Sequence, residues 1–257
     1  FFDTAIAEEH AVTFCAGLAT QGYLPVFAVY STFLQRAYDQ ILHDCSIEPK
    51  HVVFLVDRAG FVGDDGETHQ GLFDAAYLST IPGLRIFSPE SYGELRGCMD
   101  RALYQYTDGP VAVRYPRGDE CCTHHLLGDG TQDYLLHRQG GKVLLVSYGR
   151  LCEEVMAAAQ SLQADVLKLI CIRPIAQEAL KAAMEYDAVY FFEEGIKQGG
   201  IGMQFLDQMY ESGYQGKIRV QAVDNQIAPQ GTLESLYRRY GLDRESIQAL
   251  VTQGGEK

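Results

Sequence analysis

Basic side chains are scarce in this sequence: 21 Lys and Arg stand against 34 Asp and Glu, which gives a formal charge of −13. An acidic surface of this kind is a poor match for the phosphate backbone of nucleic acid and for anionic lipid headgroups. We therefore expect neither nucleic acid nor a membrane as a partner. Long apolar runs are also absent, because the runs at 52–56 and 142–148 fall far short of the roughly 20 residues that span a bilayer.

The seven cysteines include no CxxC pair, so the usual signature of a zinc or thiol redox site is missing. Their odd number and scattered positions favour a reducing compartment, and we expect the protein in the cytoplasm. Cys121 and Cys122 lie near His124 and His125, which leaves a metal site as an alternative to a polar linker. Adjacent side chains diverge and no second ligand pair follows, so the linker interpretation is favoured and no metal ligand is assigned.

Strand-like apolar runs alternate with helix-length amphipathic segments along most of the chain. Runs that are apolar on both faces and separated by helices predict an α/β fold, with a mainly parallel sheet covered by helices on both faces. The periodicity is lost over 118–132 and then resumes. We therefore predict a first domain at 1–117, a linker at 118–132 and a second, smaller α/β domain at 133–257 with one antiparallel strand.

The same periodicities give the individual elements. The predicted strands are 1–5, 25–30, 51–57, 84–88, 111–116, 142–149, 165–172, 188–194 and 217–224. The predicted helices are 8–22, 31–47, 70–81, 90–108, 151–162, 176–185, 201–212 and 232–252. The sequence begins with Phe1 rather than Met and shows no signal peptide, so we expect an internal piece of a longer protein.

Residues suited to chemistry follow several predicted strands, at the sheet edge where open α/β folds build their sites. Glu8 and Glu9 begin a helix, where a carboxylate either serves a site or stabilises the first turn. Tyr30, Phe33 and Arg36 follow the next strand, in a spacing that a core aromatic stripe would also show. Both interpretations stay open for each group.

The loop at 57–71 is the most informative segment, because a loop of this length without its own structure is usually functional. His69 has acidic neighbours at Asp64, Asp65 and Glu67, which makes it a candidate for proton transfer. A lone loop histidine is more often inert, so its acidic neighbours carry this hypothesis.

Arginine is the basic residue in seven of eight cases over 1–120. Its planar fork of donors suits a phosphate group. Arg36, Arg58, Arg114 and Arg117 stand beside predicted loops, so they either line one cleft or remain solvated surface side chains.

Taken together, several segments resemble one family in the same order along almost the whole chain. They resemble the 1-deoxy-D-xylulose-5-phosphate synthase family, which belongs to the transketolase-like thiamine diphosphate enzymes. The segments are FFDTAIAEEHAVTFCAGLATQGYLPVFAVYSTFLQRAYDQILHD, DRAGFVGDDGETHQG, VRYPRG, EEGIKQGGIG and IAPQGT.

The resemblance implies a transferase that condenses pyruvate with D-glyceraldehyde 3-phosphate, releases CO₂ and forms 1-deoxy-D-xylulose 5-phosphate. That reaction feeds isoprenoid, thiamine and pyridoxal synthesis. It also implies thiamine diphosphate as cofactor, Mg²⁺ held by an N-terminal domain missing from this sequence, and a homodimer. We expect the 257 residues to need that missing domain as a partner and to be inactive alone.

The resemblance also implies roles at single positions. Glu8 matches the glutamate that hydrogen-bonds N1′ of the aminopyrimidine, while Glu9 stands where the family usually has Gln. Phe33 matches the aromatic that stacks on this ring, and Tyr30 and Arg36 match lining residues of the same pocket.

The remaining matches concern the substrates. Asp65 and His69 match residues near the reactive carbon of the cofactor and the donor substrate. Arg58 and Arg117 match arginines on the phosphate of the triose acceptor, and Arg114 is a neighbour of these.

Two alternatives stay open from the sequence. One is another thiamine diphosphate enzyme of similar design, such as a transketolase or the β subunit of a 2-oxoacid dehydrogenase. The other is a non-catalytic interaction or dimerisation module.

Overall fold

Ten strands and ten α-helical segments follow one another along the described part of the protein. The computed structural model describes residues 1–120 and 122–254, without the side chain of Asp64. The strands are β1 Val26–Tyr30, β2 Val53–Asp57, β3 Arg85–Phe87, β4 Val111–Arg114, β5 Tyr134–His137, β6 Val143–Tyr148, β7 Asp165–Leu169, β8 Cys171–Arg173, β9 Ala188–Ile196 and β10 Lys217–Val223. The helices are α1 Glu8–Thr20, α2 Ser31–Leu34, α3 Tyr38–Gln40, α4 Asp74–Leu78, α5 Tyr92–Tyr104, α6 Cys152–Leu162, α7 Gln177–Ala183, α8 Ile201–Glu211, α9 Leu233–Tyr240 and α10 Arg244–Gly254.

The strands form two five-stranded sheets. The first sheet has the order β1-β2-β4-β3-β8, and the second has the order β10-β9-β6-β7-β5. All neighbouring strands run parallel except two pairs, β3 with β8 and β5 with β7. This arrangement confirms the predicted α/β fold class with mainly parallel sheets.

Some predicted elements are wrong in detail. Residues 1–5 form no strand, and β1 pairs only with β2 among the described residues. The predicted helix at 31–47 is broken into short α-helical, 3₁₀ and π-helical turns. The predicted strand at 165–172 is two strands, because the chain leaves the second sheet at Ile170, where its N–H donates to the carbonyl of Asp133 at 2.8 Å.

The two sheets are joined by more than the connecting segment. Strand β8 comes from beyond the predicted linker, yet it pairs with β3 in the first sheet. One buried apolar cluster includes Val12 and Phe54 from the first half and Leu144 and Phe191 from the second. The domain boundaries at 1–117, 118–132 and 133–257 stay a prediction.

The parallel strands of the first sheet bring distant sequence segments to one edge. Tyr30 at the end of β1 is paired with Asp57 at the end of β2, and Val56 is paired with Arg114 at the end of β4. The segments that follow these strands therefore meet at the carboxyl edge of the sheet, where α/β folds place their ligands.

Candidate functional site

An aromatic group lies at this edge. The rings of Tyr30 and Phe33 are stacked, with centroids 5.3 Å apart and planes 29° apart. The imidazole of His69 meets the Phe33 ring edge-on at 5.4 Å and the Tyr30 ring at 6.3 Å. These three half-buried rings form an apolar wall that joins the segment after β1 to the long loop after β2.

Glu8 is a buried carboxylate at the first residue of α1. Its Oε1 accepts a hydrogen bond from Nη1 of Arg36 at 2.8 Å, and the Arg36 guanidinium also lies 5.0 Å from the centre of the Phe33 ring. Its Oε2 is buried and has no hydrogen-bond partner among the described residues. Glu9 is exposed, so of the two acids only Glu8 presents a desolvated acceptor beside the aromatic wall.

Arg58 connects the aromatic wall to the loop. Its backbone has φ = +60°, a left-handed conformation that costs energy for a residue with a side chain. The guanidinium lies over the Tyr30 ring, 3.7 Å from its centre, and donates to Oδ2 of Asp57 at 2.8 Å. Burial by itself lowers the pKa of Arg58. The hydrogen bond to Asp65 and the charge of Asp57 together outweigh burial, so the pKa is raised overall and the group stays a cation.

Asp65 is shared by two arginines. Its Oδ2 accepts from Nε of Arg58 at 3.0 Å and lies 3.2 Å from Nε of Arg117. Both arginines line a cavity of about 340 Å³ with Tyr115 and Tyr92, and acidic side chains including Glu120 are also part of its lining. The cavity has room for a small ligand, and its lining places the two arginines beside four acidic residues, Asp57, Glu90, Asp119 and Glu120.

The structure brings the predicted site residues into one contact network. Its members are Glu8, Tyr30, Phe33, Arg36, Arg58, Asp65, His69 and Arg117. Arg114 lies outside this network. It donates to Asp74 from Nε at 2.9 Å and from Nη2 at 3.1 Å, and both side chains are buried, so this pair joins β4 to α4.

Sequence reasoning did not predict the contacts of two groups of polar residues. Glu194 and Arg150, from the second half, contact the loop after β2, which no local pattern predicts. His124 lies 2.8 Å from Glu90 and 3.9 Å from Glu153, and the buried ammonium of Lys168 also bonds Glu90. Cys121, considered above as a metal ligand, lies outside the described residues.

Helices long and apolar enough to cross a bilayer are absent from residues 1–120 and 122–254.

Comparison with known families assigns both halves. The pyrimidine-binding domain of transketolase matches residues 1–121, and the transketolase C-terminal domain matches residues 133–247.

Curated relatives are named as one enzyme. The chain is 41% identical to the 1-deoxy-D-xylulose-5-phosphate synthase of Clostridium beijerinckii and covers 42% of its length. It is 42% identical to the synthase of the same name from Clostridium kluyveri and covers 40% of it. These alignments include 98% and 96% of this chain. The chain thus spans about two fifths of the length of these relatives.

Solved structures share the fold. A chain described as a split gene transketolase, inactive β4 tetramer, superposes with a TM-score of 0.84 at 23% identity, over 98% of this chain and 83% of that one. The transketolase of Campylobacter jejuni gives a TM-score of 0.77 at 17% identity, over 98% of this chain and 39% of that one.

Proposed function

Because the chain belongs to the transketolase family, we propose that it is part of a thiamine diphosphate-dependent enzyme that condenses pyruvate with D-glyceraldehyde 3-phosphate. The reaction releases CO₂ and gives 1-deoxy-D-xylulose 5-phosphate, for isoprenoid and thiamine synthesis in the cytoplasm. The curated relatives that are 41% and 42% identical carry the name of this synthase, which supports the choice of reaction.

The observation that carries the proposal is the unpartnered Oε2 of Glu8. A buried carboxylate oxygen without a donor is costly, and the ring nitrogen N1′ of an aminopyrimidine would supply the missing proton-sharing partner. Arg36 holds the other oxygen at 2.8 Å and so fixes the direction in which Oε2 points. The residues present therefore fit the pyrimidine end of thiamine diphosphate.

The cofactor, when bound, supplies a nucleophilic carbon and an electron sink for decarboxylation. The protein orients it: Phe33 offers a stacking surface, Tyr30 lines the pocket beside Phe33, and Glu8 holds a proton at N1′. His69 lies against both rings, within the same wall. From there its imidazole would exchange a proton with pyruvate, the donor substrate.

The acceptor end is assigned to the arginines. Arg58 and Arg117 converge on Oδ2 of Asp65, and a phosphate in the adjoining cavity would meet both guanidinium groups. Asp65 bridges the two cations and holds them side by side before the ligand arrives.

The other half of the cofactor belongs, in this proposal, to residues outside this chain. We propose that an N-terminal domain holds the diphosphate through Mg²⁺, that the working assembly is a homodimer, and that the 257 residues alone are inactive. The split-gene transketolase chain of similar fold is itself described as inactive in its β4 tetramer.

The proposal is tested on the complete natural protein. We expect thiamine diphosphate, Mg²⁺, pyruvate and D-glyceraldehyde 3-phosphate to yield CO₂ and 1-deoxy-D-xylulose 5-phosphate, detected by ¹³C NMR from labelled pyruvate. Transfer of a two-carbon unit from a ketose phosphate instead would identify a transketolase. If the protein turns over neither pair of substrates, the alternative of a non-catalytic interaction or dimerisation module is supported.

A further inference from the structure

We propose that Glu194, together with Arg150, is a positioning residue: the pair sets the position of the loop between Gly60 and Gly71, which carries Asp65 and His69. Neither residue contacts the aromatic wall, and both come from the second half of the chain. The importance of this position for catalysis rests on the proposed function. The restraint on the loop itself does not.

The loop is closed at its base by backbone bonds. Gly60 and Gly71 each donate an N–H to the carbonyl of the other at 2.7 Å. A Cβ on Gly71 would lie 2.0 Å from the carbonyl oxygen of Arg58, so the closure requires glycine there. Two short 3₁₀ turns are the regular structure in between. The position of Asp65 and His69 within this loop therefore depends on contacts with residues outside the loop.

The first of these contacts is made at Phe61. Glu194 Oε1 accepts the Phe61 N–H at 2.7 Å, and Nη2 of Arg150 donates to the Phe61 carbonyl. Both backbone polar groups of this one residue are thus held by an ion pair from the second half. The Phe61 ring is fully buried, stacked on Tyr240 at 5.5 Å and edge-on to Tyr237 at 6.0 Å.

The fit at this point leaves little freedom. A Cβ built on Gly60 would lie 2.5 Å from Cδ of Glu194, so the carboxylate packs directly on the loop backbone. Oε2 accepts from Nε of Arg150 and from the hydroxyl of Tyr237, both at 3.2 Å. The carboxylate is therefore fixed from the side opposite the loop.

Further contacts act in the same sense. The amide of Gln70 accepts from the Val62 N–H at 2.9 Å and donates to the carbonyl of Pro229 at 3.0 Å. Nη1 of Arg150 donates to the carbonyl of Arg117 at 3.4 Å. Arg150 thus contacts both the loop that carries Asp65 and the segment that carries Arg117. Loss of the Glu194 charge would release these two segments together.

Glu193 provides a matched control. It lies one residue earlier on β9 and is also buried, but its carboxylate accepts hydrogen bonds from the Tyr148 hydroxyl and from the N-terminal amides of α8. Successive strand side chains point to opposite faces, so the same change at the two positions separates loop restraint from general stability.

The test combines two measurements. In the 257-residue chain, hydrogen exchange followed by mass spectrometry should show amides of residues 61–70 exchanging at least about tenfold faster in Glu194→Gln than in the wild type, with no such change in Glu193→Gln. In the complete natural protein, the kcat of Glu194→Gln should fall by about 10- to 100-fold while the KM for pyruvate changes little. If Glu194→Gln does not fold, Arg150→Lys replaces it in both measurements, because lysine keeps the positive charge but loses the several N–H donors of the guanidinium group.

Each result decides one point. Equal loop exchange in Glu194→Gln and Glu193→Gln overturns the proposal, and so does faster loop exchange with unchanged kcat. If loop exchange rises but even the wild-type complete protein makes no 1-deoxy-D-xylulose 5-phosphate, the restraint stands and the proposed function is wrong.

Discussion

At the scale of single residues, the two acids at the start of α1 differ in environment. Glu8 is buried, bonded to Arg36 and left with one unpartnered oxygen, whereas Glu9 is exposed. The same substitution at both positions therefore separates a cofactor role from a role in the helix.

We predict that Glu8→Gln in the complete protein lowers kcat by about 10²- to 10⁴-fold, because proton sharing at N1′ is lost. Exchange of the C2 proton of bound cofactor with D₂O, followed by NMR, measures this step directly. Glu9→Gln is the control and should exchange at the wild-type rate. Wild-type exchange in Glu8→Gln would remove the role from this residue.

Arg117 is the more exposed of the two arginines on Asp65, and its side chain has the freer access to a ligand. We predict that Arg117→Gln raises the KM for D-glyceraldehyde 3-phosphate by about 10- to 100-fold, since a charge-assisted hydrogen bond is worth roughly 1.5–3 kcal/mol. The KM for pyruvate should stay unchanged in steady-state kinetics. Arg96→Gln, at an exposed position of α5, is the control for net charge. An equal rise in both KM values would contradict the assignment.

The candidate site residues were predictable because each follows a strand or starts a helix, and parallel strands end at one edge. Their contacts were not predictable in the same way. The placement of Arg58 over Tyr30 depends on a left-handed backbone at Arg58, and the burial of Arg114 depends on Asp74 from a helix 40 residues earlier.

At the scale of elements, the N-terminus of α8 is capped by a buried carboxylate from β9, because its N-cap residue, Gly200, has no side chain to accept a hydrogen bond. Glu193 accepts from the N–H groups of Ile201 at 2.9 Å and Gly202 at 2.8 Å, and from the Tyr148 hydroxyl at 2.7 Å. Burial nevertheless raises the pKa of Glu193 above its usual 4.5, because desolvation outweighs these bonds.

The pH dependence follows from that direction. A carboxyl whose pKa is raised on folding stabilises the native state most below its unfolded pKa, and the contribution is lost as pH rises through the folded pKa. We predict that the unfolding free energy of the wild type falls relative to that of Glu193→Gln as pH rises above about 4.5. Urea unfolding of both proteins between pH 4 and about 7 measures the difference. A constant difference across this range would contradict the raised pKa.

Strand prediction succeeded for most of both sheets, including the edge strands β1 and β10, but it missed β5 and did not separate β8 from β7. Strand β5 has four half-buried residues, too few to stand out by periodicity. Strand β8 follows β7 with one residue between them, and only pairing with β3 shows that it belongs to the first sheet. Both errors concern edge strands, whose partners are distant in sequence.

At the scale of the whole molecule, the pairing of β3 with β8 and the shared apolar cluster oppose independent unfolding of the two halves. We predict one cooperative transition, with fluorescence, circular dichroism and calorimetry giving the same midpoint. Cleavage within 118–132 should leave the two pieces associated on gel filtration. Two separated transitions, or release of a folded 133–257 piece, would show that the interface contributes little.

Cofactor affinity is also a property of the whole assembly. This chain offers a stacking surface and one buried acceptor, worth roughly 1 kcal/mol each, against an association cost of at least about 4 kcal/mol. We predict no heat of binding when the 257-residue chain is titrated calorimetrically with thiamine diphosphate and Mg²⁺. Micromolar binding would show that the chain holds more of the cofactor than the pyrimidine.

The left-handed backbone at Arg58 has a consequence for protein engineering. A non-glycine residue at φ = +60° forgoes on the order of 1–3 kcal/mol that glycine would recover. In a library selected only for heat resistance, Arg58→Gly would survive only where this gain exceeds the loss of the guanidinium contacts with Tyr30, Asp57 and Asp65. Those survivors would have discarded the guanidinium that covers Tyr30 and bonds Asp65, so thermostability campaigns on this chain should screen position 58 for turnover.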